Sequence, residues 1–72
     1  PAIMPATGTP EPGGLSWYEI TSLLKKLCGV KRVVAFDVVE LCPQPGNVAP
    51  DFLAAKLIYR TMGYIAKARG WL

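Results

Sequence analysis

The chain has 72 residues, no histidine, and two cysteines, Cys28 and Cys42, that form no Cys-x-x-Cys pair. These absences exclude a zinc module, a disulfide scaffold and any mechanism whose base is a histidine of this chain. Charge is scarce as well: 18% of residues are charged against 51% hydrophobic, which excludes a disordered tail. No apolar run is long enough to cross a bilayer, because Phe52–Ala66 is interrupted by Lys56 and Arg60. The opening residues lack a basic region followed by an apolar one, so no secretory leader is expected and no membrane partner is implied. A free-standing domain of this length buries only about 60% of its unfolded surface and needs a disulfide, a metal or a partner. With none of these staples at hand, the composition is that of a piece of a larger fold, and a first residue Pro1 in place of Met points the same way. Cysteines on two separate elements, with no redox motif, fit a reducing cytoplasm.

Eight Lys and Arg against five Asp and Glu give a net charge of +3, but the positive residues are scattered. Lys25 and Lys26 fall near a helix end, Lys31 and Arg32 precede an apolar run, and Lys56, Arg60 and Lys67 share a helical stripe. This is the pattern of solvated faces and helix C-terminal complementarity. No aromatic residues interleave with a basic cluster, so no nucleic-acid partner is expected.

Residues 1–14 hold four of the seven prolines and three of the seven glycines, which makes them a stiffened loop with no regular structure. Thr7-Gly8-Thr9 and Gly13-Gly14 let the backbone pass close to a ligand or another chain. Ser16-Trp17-Tyr18-Glu19 is a capping box, and apolar residues at 17, 20, 23, 24 and 27 predict an amphipathic helix over 16–28, closed by Gly29. Arg32–Leu41 is β-branched and nearly continuously apolar, which predicts a strand covered on both faces. Pro43, Pro45 and Gly46 end it. Pro50 and Asp51 then open a second helix, whose inward stripe is Ala54, Leu57, Ile58, Thr61, Met62 and Ile65. Trp17, Tyr18, Tyr59, Tyr64 and the two methionines read as packing or interface residues. One strand buried on both faces needs parallel neighbours that this chain does not contain. The expected fold class is therefore α/β, an edge of a doubly wound sheet.

In such sheets ligands bind beyond the carboxyl ends of the strands. Glu40 stands at that end, Asp37 lies mid-strand as a structural acid, and alternation puts the two on opposite faces. The sequence GTPEPGG matches neither dinucleotide- nor mononucleotide-binding glycine patterns, and Glu11 reads as a rim residue that orders the loop.

These segments carry a family resemblance. Pro1, Pro5 and Ala6–Gly14 are similar to the tail of a ureohydrolase signature, that of the manganese-dependent arginase and agmatinase family. ATGTPEPGGLSWYE resembles its active-site loop and following helix, FDVVELCP its last active-site strand, and PDFLAAKLIYRTMGYI its C-terminal helix. PEPGG and FDVVE are closer to the agmatinase side than to arginases proper. The resemblance implies that residues 1–72 are the C-terminal part of one three-layer αβα domain: active-site loop 1–15, helix 16–28, strand 32–41 and helix 50–67. It implies two manganese ions that bridge a hydroxide, held by histidines and an Asp-x-Asp pair upstream of Pro1. The hydroxide attacks a guanidinium carbon and releases urea and an amine. By the same matching Glu40 anchors the guanidinium, and Thr9 is the loop threonine near the substrate. No catalytic or metal-ligating residue is expected in the segment itself. The implied partners are a small guanidino substrate, the remainder of the chain, and further copies in a trimer or hexamer. Two other readings remain: a non-catalytic relative that uses the segment for assembly, and a self-standing binding module.

Overall fold

The computed structural model describes residues 3–9 and 11–71. Expectations that drew on Pro1 and on Pro10 of the PEPGG motif fall outside them. Two helices are present, α1 (Trp17–Val30) and α2 (Ala49–Ala68). The Ser16 hydroxyl accepts the Glu19 backbone N–H at 3.2 Å, and the Glu19 carboxylate accepts the Ser16 N–H at 3.1 Å, so the capping box forms in both directions. Gly29 does not close α1 as expected. Its backbone is not left-handed, and the helix runs on to Val30, with the Lys31 N–H donating to the Leu27 carbonyl at 2.9 Å. The left-handed glycine cap belongs instead to α2. Gly70 has φ +76°, its N–H donates to Lys67, and the Trp71 N–H donates to Ala66, which is a Schellman closure.

The helices lie side by side and point the same way. Lys56 and Arg60 of α2 sit over the ring of Trp17 at the start of α1, at 5.9 and 6.0 Å. At the other end, Cys28 and Ile65 line one cleft. Besides Pro50 in the first turn of α2, four buried positions fall in pairs seven apart, Thr21 and Cys28 on one helix and Ala54 and Thr61 on the other. All four side chains are small, which lets the helices approach closely. The two buried hydroxyls are satisfied within their own helices, Thr21 by the Trp17 carbonyl at 2.9 Å and Thr61 by the Leu57 carbonyl at 2.8 Å. The expected stripe of α2 is only half buried. Ala54 and Thr61 face inward, while Ile58 and Met62 stand at its exposed margin. Tyr18 and Tyr59 are largely exposed.

Residues 32–40 run back between the helix ends without forming a strand; no ladder exists among the described residues. The reason is that a strand is defined by its neighbours. Val34 is 81% and Val39 69% exposed, which leaves the β-branched side chains of this segment uncovered. The accessible surface is 5520 Å², against roughly 4,400 Å² for a compact monomer of this mass. The radius of gyration is 13.4 Å, against about 11 Å. No large side chain is fully buried among the described residues, and the apolar core consists of Ala6, Cys28 and Ala54. The segment has the outline of an α–extended–α crossover without the sheet that would cover it.

Candidate functional site

The N-terminal loop and the end of the extended segment meet in a short antiparallel register. Thr7 pairs with Leu41, and the Cys42 N–H donates to the Ala6 carbonyl at 2.7 Å. Ala6, at 1% exposed, is the most deeply buried apolar residue and anchors this contact. Behind it lies an apolar cavity of about 180 Å³ between loop and helices, lined by Met4, Leu15, Leu41, Leu53 and Leu57. Beyond Cys42 the chain turns through Gln44-Pro45-Gly46-Asn47, where the Asn47 N–H donates to the Gln44 carbonyl at 3.0 Å and Gly46 has φ +78°. Proline followed by a left-handed glycine is the signature of a type II turn. The Asn47 side-chain oxygen accepts the Ala49 N–H at 3.2 Å and leads the chain into α2.

In this register Glu40 lies opposite Gly8. Its backbone has φ +70°, the single left-handed non-glycine among the described residues. That conformation costs an L-residue roughly 1–2 kcal/mol. Simple strand alternation therefore does not set the direction of Glu40 as the sequence implies. The Glu40 carboxylate instead reaches the loop, with Oε2 3.9 Å from where a β-carbon on Gly8 would stand. Among the described residues no hydrogen bond or ion pair occupies this carboxylate, so its acceptor sites are open. Thr9, the other expected substrate contact, follows Gly8 on the exposed rim of the loop, as does Glu11. Asp37 is exposed.

No group of three or more His, Cys, Asp or Glu among the described residues could hold a metal ion. The residues present do not fit the two manganese ions that the resemblance implies. No described helix is long and apolar enough to cross a membrane. Cys28 is buried, Cys42 is exposed, and both are free thiols.

The model of the Arginase family matches residues 1–63. This chain belongs to the arginase family. Among curated proteins it is similar to the N(1)-aminopropylagmatine ureohydrolase of Synechocystis sp., 48% identical over 89% of this chain and 21% of that protein. The N(1)-aminopropylagmatine ureohydrolase of Thermus thermophilus is 42% identical over the whole of this chain and 24% of its own length. The agmatinase of Pyrococcus horikoshii is 37% identical over 90% of this chain and 23% of its length. These relatives lie on the agmatinase side of the family, as PEPGG and FDVVE implied. The chain spans between a fifth and a quarter of the length of these relatives. No solved structure matches it. Membership of the arginase family implies an αβα architecture, of which the described residues hold the two helices.

The sequence pointed to Glu40 and to the Thr7-Gly8-Thr9 loop separately. What it did not reveal is the clip between Ala6 and Cys42, because residues 36 apart carry no local signal of pairing. The left-handed turn at Glu40 was equally hidden, since glutamate is a residue type that rarely adopts it.

Proposed function

We propose that this chain is the C-terminal part of a manganese-dependent ureohydrolase that hydrolyses a guanidino compound of the agmatine kind to urea and an amine. The observation that carries the reading is the open carboxylate of Glu40, held at a strained turn against the active-site loop of an arginase-family chain. A planar guanidinium donates two parallel N–H bonds, and a carboxylate with free acceptor sites can take both. That pairing would fix the guanidinium carbon in place and leave its face open to attack. Thr9 would supply a second contact from the loop rim. In the overall reaction one water adds across the carbon–nitrogen bond. The substituted nitrogen leaves as a protonated amine, and the carbon leaves as urea.

On this reading the chain supplies the substrate side of the site. The two manganese ions belong to histidine and aspartate ligands in the remainder of the protein, as does the attacking water. The exposed segment 32–41 joins a parallel sheet formed by that remainder, and the whole protein is a cytoplasmic homo-oligomer, trimeric or hexameric. The named activities of the relatives place N(1)-aminopropylagmatine and agmatine first among substrates to try. The test is urea release by the full-length protein, loaded with manganese, from these two and from arginine, guanidinobutyrate, guanidine and formiminoglutamate. Urea from a guanidino substrate is the expected result. A folded, manganese-loaded protein that releases none from any of them would overturn the proposal.

A further inference from the structure

α2 has two apolar faces, and the described residues cover one of them. Ala54 and Thr61 are buried, and Lys56 and Arg60 reach over Trp17 on the flank toward α1. The extended segment follows the next flank, where Val33 and Phe36 share a cleft with Ile65 and Arg69. On the remaining side Val48, Phe52, Ala55, Tyr59, Met62 and Ala66 succeed one another at alternating spacings of four and three. At about 100° per residue these six fall within an arc of roughly 80°, and no charged residue falls among them. Lys56, Arg60 and Lys67 all lie toward α1. The large members of the seam are open: Phe52 is 69% and Tyr59 78% exposed, and Val48 and Met62 are exposed as well.

We infer that this seam is covered by a helix from the remainder of the same polypeptide, laid beside α2 on the side away from α1. A narrow apolar stripe with three-and-four spacing is what one helix offers another, whereas a sheet takes a broader face. Ala55 and Ala66 add no bulk and let a second helix come close. The open apolar surface of the seam is roughly 500 Å². That suits one helix and falls short of the ~800 Å² that each partner gives to a stable dimer. The chain also has somewhere to draw the helix from, since it spans only 21% and 24% of the two ureohydrolases it matches. The αβα architecture of the arginase family sets helices side by side on a sheet, and α1 already fills the place on the other side of α2.

The experiment uses the full-length protein with Tyr59 replaced by the photocrosslinking residue p-benzoylphenylalanine, which keeps an aromatic ring at the centre of the seam. After irradiation the product is expected to run at the mass of one chain on a denaturing gel, with position 59 joined to a peptide from outside residues 1–72. A covalent dimer as the main product would overturn the inference in favour of a second copy. Irradiated protein without a crosslink, or with crosslinks confined to residues 1–72, would overturn it as well, because the seam would then be open or closed by this segment itself. Tyr59→Ser gives a second measurement that needs no probe. Loss of the ring should lower the melting temperature by about 5 °C or more, and by the same amount at every protein concentration. An unchanged melting temperature would overturn the inference. So would a shift that grows on dilution together with smaller, folded species, since that pattern assigns the seam to a contact between subunits.

Discussion

Arg69 donates an N–H of its guanidinium to the carbonyl of Val33 at 2.6 Å, across a sequence separation of 36 residues. The bond ties the C-terminal cap of α2 to the start of the extended segment and uses a backbone acceptor that a sheet neighbour could otherwise claim. The Trp71 ring packs over the same guanidinium at 5.3 Å. A cation at a helix C-terminus also meets the negative end of the helix dipole. One side chain thus ties the end of a helix to the entry of the segment that leads to Glu40.

Glu40→Gln in the full-length protein removes the charge and replaces one acceptor with a donor that faces other donors. Losing a hydrogen bond to a charged group costs roughly 1.5–3 kcal/mol, and misplacement of the reacting carbon adds to it. The expected loss is about two orders of magnitude in kcat/KM, measured by steady-state urea release. Manganese content and melting temperature should remain near wild type. Asp37→Asn, at an exposed position, should leave kcat/KM within threefold.

The capping box at the start of α1 makes a pH prediction. The Ser16 backbone N–H, and then its hydroxyl, bond the Glu19 carboxylate and hold its pKa below the ordinary value of 4.5. A depressed carboxylate contributes stability that is present above the unfolded value and lost as pH falls through the folded one. Ser16→Ala should lower stability by about 1 kcal/mol at neutral pH. Glu19→Gln should lower the melting temperature slightly at neutral pH and flatten the acid limb below pH 4.5, where the two profiles converge.

Ala54 is buried on the inward face of α2, at 6% exposure. Ala54→Leu forces three extra carbons onto that face and should destabilise the protein by roughly 1–3 kcal/mol, read by chemical denaturation. The same substitution at Ala55, exposed one position on, should be nearly neutral.

The thiols should be dispensable. Cys28 is buried as a small apolar group and Cys42 contributes its backbone N–H, not its sulfur, to the clip with Ala6. Cys28→Ala combined with Cys42→Ala should retain most urea release in the full-length protein, and a complete loss with the fold intact would contradict this.

Much of the local architecture was legible in the sequence. Ser16 and Glu19 marked the start of α1, and Pro50 and Asp51 the start of α2, because capping is decided within one turn of helix. The sequence points to the wrong glycine as a helix end for a related reason. Gly29 and Gly70 look alike in a string, and only the hydrogen bonds from Gly70 and Trp71 distinguish the true cap. Arg32–Leu41 reads as a buried strand because its side chains are those of one, yet pairing is a property of neighbours, and among the described residues only Leu41 has a partner, Thr7. Glu40 was identified from its height on that expected strand. Its left-handed backbone and its approach to Gly8 depend on contacts between distant residues and had no local signature.

The left-handed backbone at Glu40 sets foldability and chemistry against each other at one codon. Glycine would relieve roughly 1–2 kcal/mol of backbone strain there and would remove the carboxylate altogether. A library randomised at position 40 and sorted for thermal resistance should therefore drift toward glycine, with asparagine behind it. The same library sorted for urea production should return glutamate. On the proposed reading the two selections pull in opposite directions, and a library that returned glutamate under both would refute a functional reason for this strained turn.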